Sequence, residues 1–208
     1  MNKVNYQKIL DGIISCLENT DTVPTLLLHA CCAPCSSYCL EYLSQYFKIT
    51  VFFYNPNISE RAEYLHRLDE EKRLISEMNF KYPVSIIEGE YSPTEYFSAV
   101  KGLENEPEGG ERCKKCFALR LEKSARIARE MNFDYFTTTL TISPLKNAAL
   151  LNEIGGYFAD LYGVKWLSSD FKKKEGYKRS IVLSAEHKLY RQNYCGCIFS
   201  KRRAEENG

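Results

Sequence analysis

Eight of the nine cysteines in this chain fall into three groups: Cys31, Cys32, Cys35 and Cys39; Cys113 and Cys116; Cys195 and Cys197. Clustered thiols in an intracellular chain bind metal or carry electrons more often than they staple a fold. Cys113-Lys114-Lys115-Cys116 has the spacing that lets two sulfurs share one metal or cluster, and Cys31, Cys32 and Cys35 supply further thiolates. Four thiolates complete a tetrahedral zinc site or an iron–sulfur cubane, and the spacing does not separate the two. Cys195-Gly196-Cys197 is a different device. Closing a disulfide across one residue makes a small strained ring, so the bond is labile and suits a two-electron relay. Metal ligation by the same pair is the alternative. Cys39 and Cys16 read as core residues.

Other side chains could join this chemistry. His29 stands just before the first thiol motif, as a ligand, an acid or a satisfied core histidine. Asp170 follows the last expected strand, where a carboxylate can take a metal, bind a hydroxyl or cap a helix. Lys172-Lys173-Lys174, Lys178-Arg179 and Lys201-Arg202-Arg203 lie among Phe171, Tyr177, Tyr190, Tyr194 and Phe199. That mixture suits a phosphate backbone and stacked bases, or simply a solvated face.

The elements that must position these groups follow from periodicity. Thr25-Leu26-Leu27-Leu28 reads as a buried strand, and residues 38–47 as an amphipathic helix with Pro34 in its first turn. The first motif therefore sits at a strand's carboxyl end and a helix's amino end, where ligands bind in open α/β sheets and where the helix dipole favours thiolates. A helix is expected over 5–17, strands over 49–54, 84–87, 135–140 and 165–169, and helices over 59–78, 91–100, 112–131 and from 143–147 to 162. Ser59 reads as an N-cap. Strands alternating with helices predict right-handed βαβ units and a five-stranded parallel sheet, followed by a basic helical extension. The expected organisation is one α/β domain over 1–208, with the tail 170–208 packing over the metal site.

Composition bounds the function. The net charge is +1, so any nucleic-acid contact rests on local patches. No apolar run is long enough to span a bilayer and no signal peptide is expected, so the expected location is the cytoplasm, with no membrane partner. No glycine-rich phosphate loop follows the first strand, because Cys31, Cys32 and Pro34 occupy its place.

Several long motifs resemble one family. They are Leu28-His29-Ala30-Cys31-Cys32-Ala33-Pro34-Cys35, Phe53-Tyr54-Asn55-Pro56-Asn57-Ile58 and residues 112–121 around Cys113 and Cys116. Residues 136–140 with Ser143-Pro144-Leu145-Lys146-Asn147, residues 170–180 and Tyr190-Arg191-Gln192-Asn193-Tyr194-Cys195-Gly196-Cys197 complete the set. Together they are similar to the QueH family, the cobalamin-independent epoxyqueuosine reductases. The resemblance implies a Rossmann-like fold related to the adenine nucleotide alpha hydrolases. It implies reduction of epoxyqueuosine to queuosine in the tRNA anticodon. It further implies a [4Fe–4S] cluster on Cys31, Cys32, Cys113 and Cys116, and a redox-active pair at Cys195 and Cys197. A second iron would draw on Cys35 and Asp170, an external electron donor would recharge the enzyme, and His29, Asp170 or Tyr177 would protonate the leaving oxygen. On the residues alone the alternative is a zinc-stapled tRNA-binding protein without redox activity; a sulfur-transfer or nucleotide-activating tRNA enzyme would need ATP binding, which the missing phosphate loop argues against.

Overall fold

The computed structural model describes residues 4–206. Residues 1–3 and 207–208 of the expected 1–208 domain lie outside the described residues.

Five parallel strands form one sheet: β1 (Thr25–Ala30), β2 (Lys48–Phe53), β3 (Val84–Glu88), β4 (Tyr135–Thr138) and β5 (Lys165–Trp166). Their order is β3-β2-β1-β4-β5, with β1 pairing β2 and β4 on its two edges. The winding therefore reverses between β1 and β4. Connections leave these strands in opposite directions, and a crevice opens beyond their carboxyl ends. The helices are α1 (Tyr6–Leu17), α2 (Ala33–Leu43), α3 (Arg61–Glu77), α4 (Pro93–Ala99), α5 (Glu111–Glu130), α6 (Ala148–Tyr162), α7 (Gly176–Glu186) and α8 (Ile198–Glu206).

Alternate residues of β1 serve opposite layers, as a strand buried on both faces requires. Leu26, Leu28 and Ala30 pack with Leu10 and Ile14 of α1 and with Leu40 and Leu43 of α2. Leu27 packs with Phe117, Leu121 and Ala125 of α5 and with Leu151 and Phe158 of α6. The five-stranded parallel sheet read from the sequence is present, with two local differences at the crevice. The fourth strand stops at Thr138 rather than residue 140, because Thr138 Oγ1 accepts from the Leu140 amide and starts a 3-10 turn over Thr139–Ile142. The fifth strand ends at Trp166 rather than residue 169. Side chains take over its backbone groups: Thr137 Oγ1 donates to the Leu167 carbonyl (2.8 Å), and the Ser169 amide donates to Asn152 Oδ1 (3.0 Å). Among the described residues no helix is long and apolar enough to cross a membrane.

Candidate metal centre

The first thiol motif caps α2. Cys32 is the N-cap residue and makes no side-chain capping bond, and its carbonyl accepts from the Cys35 and Ser36 amides. The turn that Pro34 initiates thus folds three sulfurs inward. The sulfurs of Cys31, Cys32 and Cys35 all lie within 4.8 Å of one another, and Cys31 and Cys32 are 3.7 Å apart. A tetrahedral ion bound to thiolates at about 2.3 Å spaces its sulfurs by about 3.8 Å. The triad can therefore hold a metal. All its donors are soft sulfur, a set that favours zinc or iron–sulfur centres over magnesium or calcium.

Its charge is unevenly shared. Hydrogen bonds from Cys32 and Cys35 hold the Cys31 thiol well below its ordinary range against the effect of burial, with help from Lys146 and Arg120. Cys32, bonded to that thiolate, is pushed up to about 12, and Cys35 also rises. Burial opposes the charge on Lys146, yet Cys195, Cys31 and Cys35 hold its ammonium above the ordinary lysine value.

The second pair is delivered by α5. Gly109 donates its amide to Cys113 Sγ (3.2 Å), and buried Arg112 clamps the preceding loop through the carbonyls of Leu103 (3.2 Å), Glu104 (2.9 Å) and Glu106 (2.5 Å). Cys113 packs against the apolar layer that contains Cys31 and Cys32. Cys116 is buried with Tyr96, Val100 and Cys197, and burial pushes its thiol up to about 12. Among the described residues the two α5 thiols neither enter the triad's tight triangle nor line the cavity that the triad shares with Cys195.

Cys195 and Cys197 sit on a loop held from below. Ser59, the expected N-cap of α3, secures this loop instead, since its amide donates to the Gly196 carbonyl and its Oγ accepts from the Ile198 amide. The buried guanidinium of Arg67 reaches the Cys195 and Tyr194 carbonyls (3.4 Å each) and pairs with Glu63 (2.7 Å). Gly196 has φ +111°, and a Cβ there would meet Ile58 Cγ1 at 2.8 Å, so glycine is required at this close approach. Both thiols are free. Cys195 faces a cavity of about 470 Å³ whose walls also carry Cys31, Cys32, Cys35, Lys146 and Tyr177.

Two expected site residues lie elsewhere. His29 is fully buried behind the crevice, with Nδ1 2.8 Å from Thr138 Oγ1 and Nε2 3.1 Å from the Tyr54 carbonyl. Burial first, and Arg120 second, lower its pKa to about 3, so it is neutral at ordinary pH. Asp170 lines a neighbouring cavity of about 370 Å³ and pairs with Lys172 at 3.0 Å. Lys146 borders both cavities. The basic runs are also partly committed: Lys174 pairs with Asp11 (2.8 Å), Lys178 with Glu175, Arg179 with Glu41 (2.6 Å) and Lys201 with Glu60.

Sequence reasoning missed Arg67 and Arg120, since an arginine on a helix reads as solvated. The spacing of Cys116 and Arg120, four residues apart on one helix face, was the available signal.

A family model described as "Epoxyqueuosine reductase QueH" matches residues 26–203. The chain is 47% identical over 202 residues to the epoxyqueuosine reductase QueH of Staphylococcus epidermidis, covering 95% of this chain and 85% of that protein. It is 45% identical to the Streptococcus pyogenes serotype M1 protein of that name, covering 96% and 79%. It is 36% identical to the Thermotoga maritima one, covering 85% and 90%.

Proposed function

The chain belongs to the epoxyqueuosine reductase QueH family, and from that premise we propose that it is an oxidoreductase that removes the epoxide oxygen of epoxyqueuosine in tRNA to leave queuosine. The observation that carries the reading is the thiol triad at the β1/β4 crevice with a free thiol, Cys195, on the wall of the same cavity.

The donor set fits an iron–sulfur centre: every ligand candidate at the rim is a cysteine, and the buried Arg120 guanidinium nearby has an Nη1 without a partner. In our reading Cys31, Cys32, Cys113 and Cys116 hold a [4Fe–4S] cluster. Cys35 is the thiolate left for a second iron, and Asp170 joins it only by leaving Lys172. Such a centre would supply electrons one at a time.

Removing the oxygen as water consumes two electrons and two protons. Oxidising Cys195 and Cys197 to a disulfide releases two of each, and an external electron donor restores the thiols. Tyr177 and the Lys146 ammonium stand on the cavity wall as proton donors to the leaving oxygen. Neutral, buried His29 has no proton to give there and serves to orient its neighbours. The tRNA base enters the cavity splayed from its strand, with Tyr177 and Tyr194 as stacking faces and Arg191 toward the phosphates. An enzyme of this kind works in the cytoplasm.

Anaerobic reconstitution tests the reading. Wild type is expected to bind iron and sulfide, show a brown chromophore and reduce the epoxide in an anticodon stem-loop. Cys113→Ala is expected to lose the chromophore and the activity together. A colourless wild type with stoichiometric zinc and no epoxide reduction would overturn the iron–sulfur reading.

A further inference from the structure

Arg120 is 1% exposed, and among the described residues no carboxylate pairs with it. Its fork is used on two sides only. Nη2 donates to Asn55 Oδ1 at 2.6 Å, and Nε lies 3.2 Å from His29 Nε2. Nη1 has no hydrogen-bond partner. Burying a cation among neutral partners carries a heavy desolvation cost. An orphaned N–H adds to it. Two neutral acceptors do not offset that.

The missing negative charge lies among the thiols. Burial works against the charge on Arg120, and Cys116, Cys31 and Cys195 are the groups that support it. Cys116 stands one turn earlier on the same helix, Cys31 in the triad, and Cys195 lines the cavity that the triad also lines. These belong to all three thiol groups of the sequence, and Arg120 is the cation common to them. Ligated thiolates are permanent anions, because a metal keeps them deprotonated.

We infer that Arg120 is the built-in counter-charge of the thiolate-held centre, a positioning residue that favours assembly of the anionic centre and raises its reduction potential. The inference rests on the ligand reading above. It goes beyond that reading by giving a role to a residue that neither ligates nor faces the cavity. Reduction adds negative charge, so a fixed buried cation favours the reduced form.

Two variants separate charge from anchoring. Arg120→Lys keeps the charge and loses the fork. Arg120→Gln loses the charge and keeps an amide N–H for Asn55. The measurements are iron and sulfide affinity, the midpoint potential of the reconstituted protein, and thermal unfolding with and without metal. Arg120→Gln is expected to bind the centre about 10–100-fold more weakly. Its potential should be more negative, and metal loading should raise its unfolding temperature less than in wild type. Arg120→Lys should stay close to wild type in all three. If Gln matches wild type and Lys does not, or if Gln fails to fold without metal, Arg120 is an anchor for Asn55 and His29 and the inference is overturned. A wild type that takes up no iron and sulfide shows that the ligand reading failed first and takes the inference with it.

Discussion

Two buried titratable side chains behind the thiols pull stability in opposite directions with pH. Glu71 of α3 is fully buried and neither carboxylate oxygen has a hydrogen-bond partner. Burial raises its pKa from 4.5 to about 8; Ser36 opposes this, but its hydroxyl is committed to the Cys32 carbonyl (3.2 Å). The native state thus keeps a proton that the unfolded chain loses above pH 4.5. That contribution is full at low pH and is lost as pH rises toward 8. His29 is the reverse case: lowered from 6.5 to about 3, it contributes stability above pH 6.5 that is lost as pH falls. Only Glu71 of this pair acts between pH 6.5 and 8. Over that interval Glu71→Gln is expected to gain roughly 1.5 kcal/mol relative to wild type. Urea unfolding of the metal-free proteins at the two pH values measures the difference. An unchanged difference would mean that Glu71 is ionised in the native protein.

At the scale of elements, α7 carries Tyr177 to the cavity, and its seat on α2 is tight. A Cβ on Gly176 would lie 2.0 Å from the Phe171 carbonyl oxygen and 2.4 Å from Tyr38 Cε1. The backbone contact cannot yield without moving the helix start. The Arg179–Glu41 pair on the same interface is more than a third exposed on both sides, so it contributes little. Gly176→Ala is therefore expected to cost about 1–3 kcal/mol and lower the melting temperature, whereas Arg179→Ala costs under about 1 kcal/mol. Equal losses would put the weight of the interface on the ion pair. These elements also mark how far the sequence could be read. The order of strand, loop and helix around Cys31 was legible because its signals are local: an apolar run, a proline, then a helical period; the helix itself runs over Ala33–Leu43 rather than 38–47. The role of Ser59 was not, since a serine before a helix looks like a cap whether or not a distant loop uses its hydroxyl. Asp170 and the shortened fifth strand escaped for a similar reason. Asn152, on α6, replaces the ladder there, and nothing near residue 169 announces it. That Cys195 shares a cavity with the first motif depends on contacts across the chain, which no local period encodes.

For the whole molecule, a net charge of +1 leaves little long-range attraction for tRNA, so attraction must come from where cations gather without matching carboxylates. The runs that look most basic in the sequence are largely neutralised within the fold: Lys172 by Asp170, Lys174 by Asp11, Arg179 by Glu41 and Glu186. The cavity at the carboxyl edge has a different balance. Lys146 and Arg191 line it, neither in an ion pair among the described residues, and its one acidic lining residue is Glu108. Arg191 turns to a neutral group, its Nη1 donating to Ser184 Oγ at 3.1 Å. A polyanion should therefore register the cavity rim and pass over the lysine runs. Each phosphate contact contributes about 0.7–0.9 to the slope of log K against log salt. Arg191→Ala is expected to weaken binding of an anticodon stem-loop and reduce that slope by close to one contact. Lys174→Ala, which removes a charge already paired, should leave the slope unchanged. Binding titrations across a salt series read both, and a larger slope change at Lys174 than at Arg191 would move the RNA path from the thiol cavity to the α7 face.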